Sequence, residues 1–186
     1  MIIVKGGLSM NIKRFLRSSK LIYMCLRILS IMCIILFFVS IIFFVLRKNN
    51  LIVFQDSTYL LNFSTQSHIV YKEIDDSVRS FLSIPLLLVN GYVFYLGSNF
   101  FGQISDGCTP FSVNNYLLLK KVGAILIITN LLIPIIHSIL LSINSPQGYY
   151  ISIGISIEVL VGFIIYCLGE VFEYGVSLQN LSDETV

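Results

Sequence analysis

Four long apolar stretches, at residues 28–46, 81–101, 122–143 and 151–169, restrict this chain more than anything else in its sequence. About 20 apolar residues, rising 1.5 Å each, cross the roughly 30 Å hydrocarbon core of a bilayer. A segment that spans lipid has to be helical, because every backbone N–H and C=O needs an internal partner. The sequence therefore predicts an all-α membrane protein, a four-helix transmembrane bundle. The chain is 56% hydrophobic and 12% charged, against roughly 45–50% and 25% in soluble domains. These values exclude a disordered chain, a nucleic-acid module and an ordinary soluble enzyme. The spans consume nearly half of the 186 residues. The reading is a segment 1–27 followed by one transmembrane domain over 28–186, with no room for a separate soluble domain.

The rival for the first stretch is a signal peptide. Lys13, Arg14, Arg17 and Lys20 give it the basic start, but its core is too long and has no small-residue cleavage site before Arg47. Orientation follows from Lys and Arg. The N-terminal segment carries Lys5, Lys13, Arg14, Arg17 and Lys20, with Arg27 at the membrane edge, and Lys120 and Lys121 close the loop between spans two and three. Both termini are predicted in the cytoplasm of a bacterial cell, whose AT-rich coding would suit the abundance of Ile and Asn. Tyr149 and Tyr150 then mark the outer interface, and Tyr23, Tyr116 and Tyr174 the inner one. Lys5-Gly6-Gly7 can be encoded as a ribosome-binding site ahead of Met10. Translation is accordingly expected to start at Met10, leaving residues 1–9 untranslated.

The external loop, 47–80, contains β-prone runs at 51–54, 58–63 and 68–74. They predict two or three short strands, a small extracytoplasmic segment between helices 1 and 2. It reads either as a sensing cap or as a tether. Asp75-Asp76-Ser77 then gives the second helix an acidic start that suits its dipole.

Ionisable groups in a span cost roughly 2.5–3.5 kcal/mol near its centre, so they are expected inside the bundle with a partner. Asn130, Pro134 and His137 share one face of the third span, and Glu158, Gly162 and Gly169 one face of the fourth. Ser83, Asn90 and Gly97 recur every seven residues in the second, and Arg27, Ser30, Cys33 and Ser40 form a stripe on the first. Such stripes favour close packing in lipid. Pro134 is expected to kink the third helix. A hairpin turning at 145–148 would bring His137 and Glu158 to one depth, where they are expected to hydrogen-bond. Asn90 and Asn130 would both fall near the midplane. Asn90, Asn130, His137 and Glu158 thus form a candidate intramembrane polar site, open to two readings: a proton- or cation-responsive site, or polar glue between helices.

No nucleophile–base, P-loop, zinc-protease or dinucleotide pattern occurs. One histidine and one carboxylate in reach are too few for a metal. The expectation is no enzyme, no metal and no cofactor. Cys25, Cys33, Cys108 and Cys167 have no CxxC spacing and read as small apolar filler.

Two further segments carry a pattern. One is Gly107-Cys108-Thr109-Pro110-Phe111-Ser112-Val113-Asn114-Asn115, in which Ser112 is a helix N-cap with Asn115 three residues on. The other is Gly169-Glu170-Val171-Phe172-Glu173-Tyr174-Gly175, then Leu178-Gln179, then Asp183-Glu184-Thr185-Val186, at the end of a fourth helix expected to run to about Gln179 into the tail 170–186. Together these segments resemble the DUF2975 family of bacterial four-span membrane proteins of unknown function. Cys108-Thr109 departs from the family by one extra residue, and Asn180-Leu181-Ser182 stands where its acids are usual. The resemblance implies a membrane-bound partner for a small helix-turn-helix regulator. Pro110, Phe111, Ser112, Asn114, Asn115, Glu170, Phe172, Gly175, Leu178, Gln179, Asp183 and Thr185 would then form a cytoplasmic docking motif. From the residues alone, the same positions read as capping and interfacial packing. The function expected is a non-enzymatic sensory or regulatory membrane protein. The alternative is a small transporter or immunity-type protein using the buried polar face. The partners implied are the bilayer, such a regulator and a second copy of the chain, with no direct nucleic-acid contact.

Overall fold

The computed structural model describes residues 3–45, 59–66, 72–144 and 150–184. In chain order they form α1 (Ile3–Val45), β1 (Tyr59–Gln66), α2 (Lys72–Ser105), α3 (Val113–Asn144), β2 (Tyr150–Ser156) and α4 (Ile157–Glu184). All four helices are long and apolar enough to cross a membrane. Each extends beyond its apolar stretch, and α4 continues past Gln179 to Glu184.

α1 and α2 form an antiparallel hairpin. Leu16, Ser19, Tyr23, Leu26, Ser30, Cys33, Phe37 and Ser40 make the buried and half-buried seam of α1. Their alternating three- and four-residue steps are the heptad rhythm of left-handed packing. The seam is rich in small residues, as lipid-embedded helix contacts are. Ser30 Oγ donates to the Gly91 carbonyl at 2.8 Å. The Tyr23 ring lies against Gly102, Leu26 against Gly97, and Phe44 reaches Phe81 at 6.1 Å between ring centroids. The large apolar side chains between seam positions, such as Ile28, Ile31, Ile35 and Phe38, are exposed. In a bilayer they face lipid. Arg27 is half-buried beside this seam and lies 4.7 Å from the centre of the Tyr95 ring of α2.

α3 and α4 form the second hairpin, and its closest approach is backbone on backbone. A Cβ on Gly123 would stand 2.7 Å from the Gly162 carbonyl oxygen, and one on Gly162 would stand 3.0 Å from the Gly123 oxygen. The helices pack in sequence order, α1 on α2, α2 on α3 and α3 on α4, and among the described residues there is no comparable α1–α4 interface. The four-helix arrangement is therefore an open row of two hairpins.

The fourth stretch departs from the all-helical expectation. Residues 150–156 are extended, and helix begins only at Ile157. The cause is legible in the sequence: Ile151, Ile153, Ile155 and Ile157 alternate with Ser152, Gly154 and Ser156. This period of two belongs to a strand. Ser152, Gly154 and Ser156 form the buried face, while Ile151 and Ile155 are exposed. β2 pairs antiparallel with β1, Gln66 opposite Tyr150 and Phe63 opposite Ile153. Of the runs expected as strands, 51–54 lies outside the described residues. β1 overlaps 58–63, and the run 68–74 ends inside α2. Asp75 lies three residues after Lys72, the first residue of α2, where an acidic group suits the helix dipole.

β2 presents its second edge to α3. Ser142 Oγ accepts from the Tyr150 N–H at 3.0 Å and donates to the Tyr150 carbonyl at 2.9 Å. Ser138 Oγ accepts from the Ser152 N–H at 2.9 Å, and its own proton points to the Ser152 carbonyl (3.1 Å) or the Pro134 carbonyl (2.8 Å). Four helical residues rise about 6 Å and two strand residues about 6.6 Å. The two serines therefore match alternate residues of the strand and close an edge that lipid could not satisfy.

Candidate functional site

Charged side chains gather in two belts. At the face that carries both chain termini, Arg27 of α1, Lys120 and Lys121 of α3, and Glu170 and Glu173 of α4 lie together. Lys120 Nζ pairs with Glu170 Oε1 at 2.8 Å and with Glu173 Oε2. Arg27 and Lys121 rest on the α2 rings of Tyr95 and Tyr92, at 4.7 and 5.4 Å. Near the sheet, His137 Nε2 lies 3.0 Å from Asp75 Oδ1, and Arg79 Nε donates to Asp75 Oδ2 at 2.8 Å. Tyr150 meets the His137 ring edge-on at 6.1 Å. Lys120 and His137 stand 17 residues apart on α3, about 26 Å along a helix. That separation is close to the roughly 30 Å of a hydrocarbon core. The two belts therefore mark its two faces.

Among the described residues, Glu158 is the one Asp, Glu, Lys, Arg or His between the belts. Its Oε2 is buried and has no hydrogen-bond partner among the described residues, and neither has the Oγ of Ser156 nearby. The predicted bond from His137 to Glu158 is absent; His137 pairs with Asp75. The depth argument failed because it counted residues 150–156 as helix. Ser152 is level with Ser138 through their hydrogen bonds. Four strand steps from there to Ser156 carry the chain roughly 13 Å inward, where helix would have moved it about 6 Å. The proposed turn at 145–148 lies outside the described residues.

Asn90 and Asn130 do not share a level either. The contacts of Asp75 with His137 and of Tyr92 with Lys121 set the α2–α3 register. It places Asn90 opposite 122–123, about 10 Å from the level of Asn130. Asn130 Nδ2 donates to the Leu126 carbonyl of its own helix. The four polar residues therefore do not converge on one site. Asp75 and Arg79 were missed because they precede the apolar stretch. The signal was their i, i+4 spacing on a helix that starts at Lys72.

The loop and tail motifs do converge. Gly107, with φ of 86°, ends α2. Cys108 N–H bonds to the Gln103 carbonyl and Gly107 N–H to the Ile104 carbonyl, both at 3.1 Å, a Schellman pattern that requires a left-handed residue. Ser112 Oγ accepts from the Asn115 N–H at 3.3 Å as the N-cap of α3. The Asn115 side chain is fully buried. It does not complete a capping box; Nδ2 donates to the carbonyls of Pro110 (3.0 Å) and Thr109 (3.4 Å). Phe111 then lies over Gly175 and against Phe172 (5.0 Å between centroids), which also meets Phe100 at 6.0 Å. Glu170 and Phe172 thus take part through Lys120 and Phe111. Asn114, Leu178 and Gln179 are exposed. The side chain of Asp183, and Thr185, lie outside the described residues.

Beyond the terminal belt, α4 continues for about 15 Å from Tyr174 to Glu184. Val171 within the belt and Tyr174, Leu178 and Leu181 beyond it recur at steps of three and four. They are 60, 66, 48 and 59% exposed. The four cysteines are free thiols, and the described residues contain no group of three metal-ligating side chains. No family model matches the chain, and no curated protein or solved structure does.

Replacing Asp75 by alanine removes its bonds to Arg79 and His137 together; replacing His137 removes one. Asp75→Ala is expected to cost about 2 kcal/mol and His137→Ala about 1 kcal/mol. Unfolding of the purified protein in mild detergent by increasing SDS measures both.

Proposed function

We propose that this protein is a non-enzymatic, membrane-embedded regulatory protein that holds a soluble partner at its terminal face. The observation that carries the reading is the apolar stripe of Tyr174, Leu178 and Leu181, which continues Val171 onto helix that has left the terminal belt. A helix with an apolar stripe gains by laying it against another surface. Lys120 and the Phe111–Phe172 contact fix where the extension leaves the bundle. At the far end of the same α3, His137 joins Asp75 and Arg79. A change sensed at the sheet would reach the platform along that helix. The resemblance to DUF2975 favours a small helix-turn-helix regulator as partner, a cytoplasmic terminal face and a bacterial host.

The test is recovery, with the membrane protein, of a small helix-turn-helix regulator encoded beside it. Wild type should retain it. Leu178→Glu with Leu181→Glu should lower recovery by about tenfold or more, the worth of one lost apolar anchor. Lys120→Met should weaken it less. Equal recovery with all three forms would contradict the platform.

Glu158, with its unpartnered Oε2 between the belts, favours the second reading, a small ion-linked transporter or immunity-type protein. Glu158→Gln should then abolish the ion- or toxin-linked phenotype. An unchanged phenotype, with stability equal to or above wild type, leaves the regulatory reading standing.

A further inference from the structure

The cations of the terminal belt are not all neutralised. Lys120 is taken by Glu170 and Glu173. Arg27 and Lys121 form no ion pair among the described residues. Each rests instead on a ring of α2, with Arg27 Cζ 4.7 Å from the centre of Tyr95 and Lys121 Nζ 5.4 Å from that of Tyr92. A ring face attracts a cation but brings no negative charge to cancel it. The guanidinium fork and the ammonium therefore keep N–H donors for an outside anion.

The two cations belong to one place. Tyr92 and Tyr95 are three residues apart on α2, which puts them on neighbouring turns of one face with about 5–6 Å between Cβ atoms. Both rings are exposed. α1 brings Arg27 to one end of this two-ring ridge, and α3 brings Lys121 to the other. Their depth is that of the belt, which marks the hydrocarbon face, and lipid phosphates lie in the headgroup layer directly outside it. Apolar surface continues from each toward the midplane. Ile31 follows Arg27 by four residues, Leu88 precedes Tyr92 by four, and Ile128 follows Lys121 by seven, and all three are exposed.

We propose that Arg27 and Lys121 bind the headgroup of cardiolipin, a lipid with two phosphodiesters joined by one glycerol, with one phosphate at each cation across the Tyr92–Tyr95 ridge. The rings hold the cations on separate turns, so a single phosphate takes both only by pulling one off its ring. Two linked phosphates meet both in place. Arg27 donates a pair of parallel N–H bonds to one phosphate, and the Lys121 ammonium meets the other as a point charge. The acyl chains lie over Ile31, Leu88 and Ile128. A zwitterionic headgroup brings an ammonium to the same ridge, where two unpaired cations repel it.

The experiment is native mass spectrometry of the full-length protein after delipidation. Cardiolipin, phosphatidylglycerol and phosphatidylcholine of matched chains are added one at a time, and the deacylated, soluble cardiolipin headgroup is added as competitor. Wild type should retain cardiolipin about tenfold more than phosphatidylglycerol, the worth of one further charge-assisted hydrogen bond, and phosphatidylcholine least. Lys121→Gln and Arg27→Gln should each lower cardiolipin to the level of phosphatidylglycerol. Lys121 is exposed, so its variant should elute and unfold as wild type does. Arg14→Gln is the control. It removes the same charge from α1, about 20 Å beyond Arg27, and should leave the preference intact. Equal retention of cardiolipin and phosphatidylglycerol by wild type, or a preference untouched by Lys121→Gln, would overturn the site. An equal loss in Arg14→Gln would reduce it to unspecific charge attraction and overturn it as well. Displacement by an equimolar amount of the soluble headgroup would overturn the lipid as its occupant.

Discussion

Replacing Gly162 by leucine is expected to lower the unfolding free energy by about 3 kcal/mol, the upper end of overpacking costs. The size follows from what the new atoms meet. A Cβ on Gly162 stands 2.9 Å from Ile127 Cγ1, 3.0 Å from the Gly123 oxygen and 3.1 Å from the Ile127 nitrogen. Two of those are backbone, which a rotamer change cannot move. Gly123→Ala should also be costly, because its Cβ would lie 2.7 Å from both the Gly162 oxygen and the Tyr166 nitrogen. Gly97→Ala is the control. Its Cβ would meet only Leu26 Cδ1 at 3.3 Å, the end of a flexible side chain. There the helix gain of replacing glycine offsets the strain, so stability should change by less than about 1 kcal/mol. SDS titration of the three variants, read by circular dichroism, checks the order. A neutral Gly162→Leu would mean that α3 and α4 do not touch backbone to backbone.

The second large effect belongs to Ser138 and Ser142. Replacing both by alanine leaves the N–H and C=O groups of Tyr150 and Ser152 without their side-chain partners. A buried polar group left unpaired costs about 1–3 kcal/mol. The double variant should lose about 4 kcal/mol, with the larger share from Ser138, which is 7% exposed. Hydrogen exchange adds a positional signature. The amides of Tyr150 and Ser152 should exchange faster, while those of Ile151 and Ile153, which alternate toward β1, should keep their protection. Uniform exchange along β2 would contradict the proposed edge. A hydroxyl alone suffices for these bonds, so threonine at 138 and 142 should restore most of the stability.

These two sites mark how far the sequence could be read. Hydropathy reveals four crossings because lipid allows one local solution to the backbone problem. Gly123, Gly162 and Gly169 stand out as small residues on faces that must pack. Ser112 reads as a cap from local chemistry, and the buried seam of α1 contains the predicted Ser30, Cys33 and Ser40. The fourth stretch misleads, because an isoleucine-rich run looks equally apolar as helix or strand. Only its alternation with Ser152, Gly154 and Ser156 separates the two. Misreading those seven residues moved Glu158 outward and joined it to His137. Asp75 stayed hidden as a partner because pairing across 62 residues depends on the α2–α3 register, which no local pattern encodes. Lys120 with Glu170 and Glu173 is non-local in the same way.

The account stands on two charge belts separated by a hydrocarbon core. Single cysteines at Lys121, Thr129 and His137 of α3 probe it, with Cys25, Cys33, Cys108 and Cys167 replaced by serine or alanine. In the full chain in liposomes, membrane-impermeant maleimide should label positions 121 and 137 from opposite sides of the bilayer and leave 129 unlabelled. Equal labelling of all three, or labelling of 121 and 137 from the same side, would contradict the crossing.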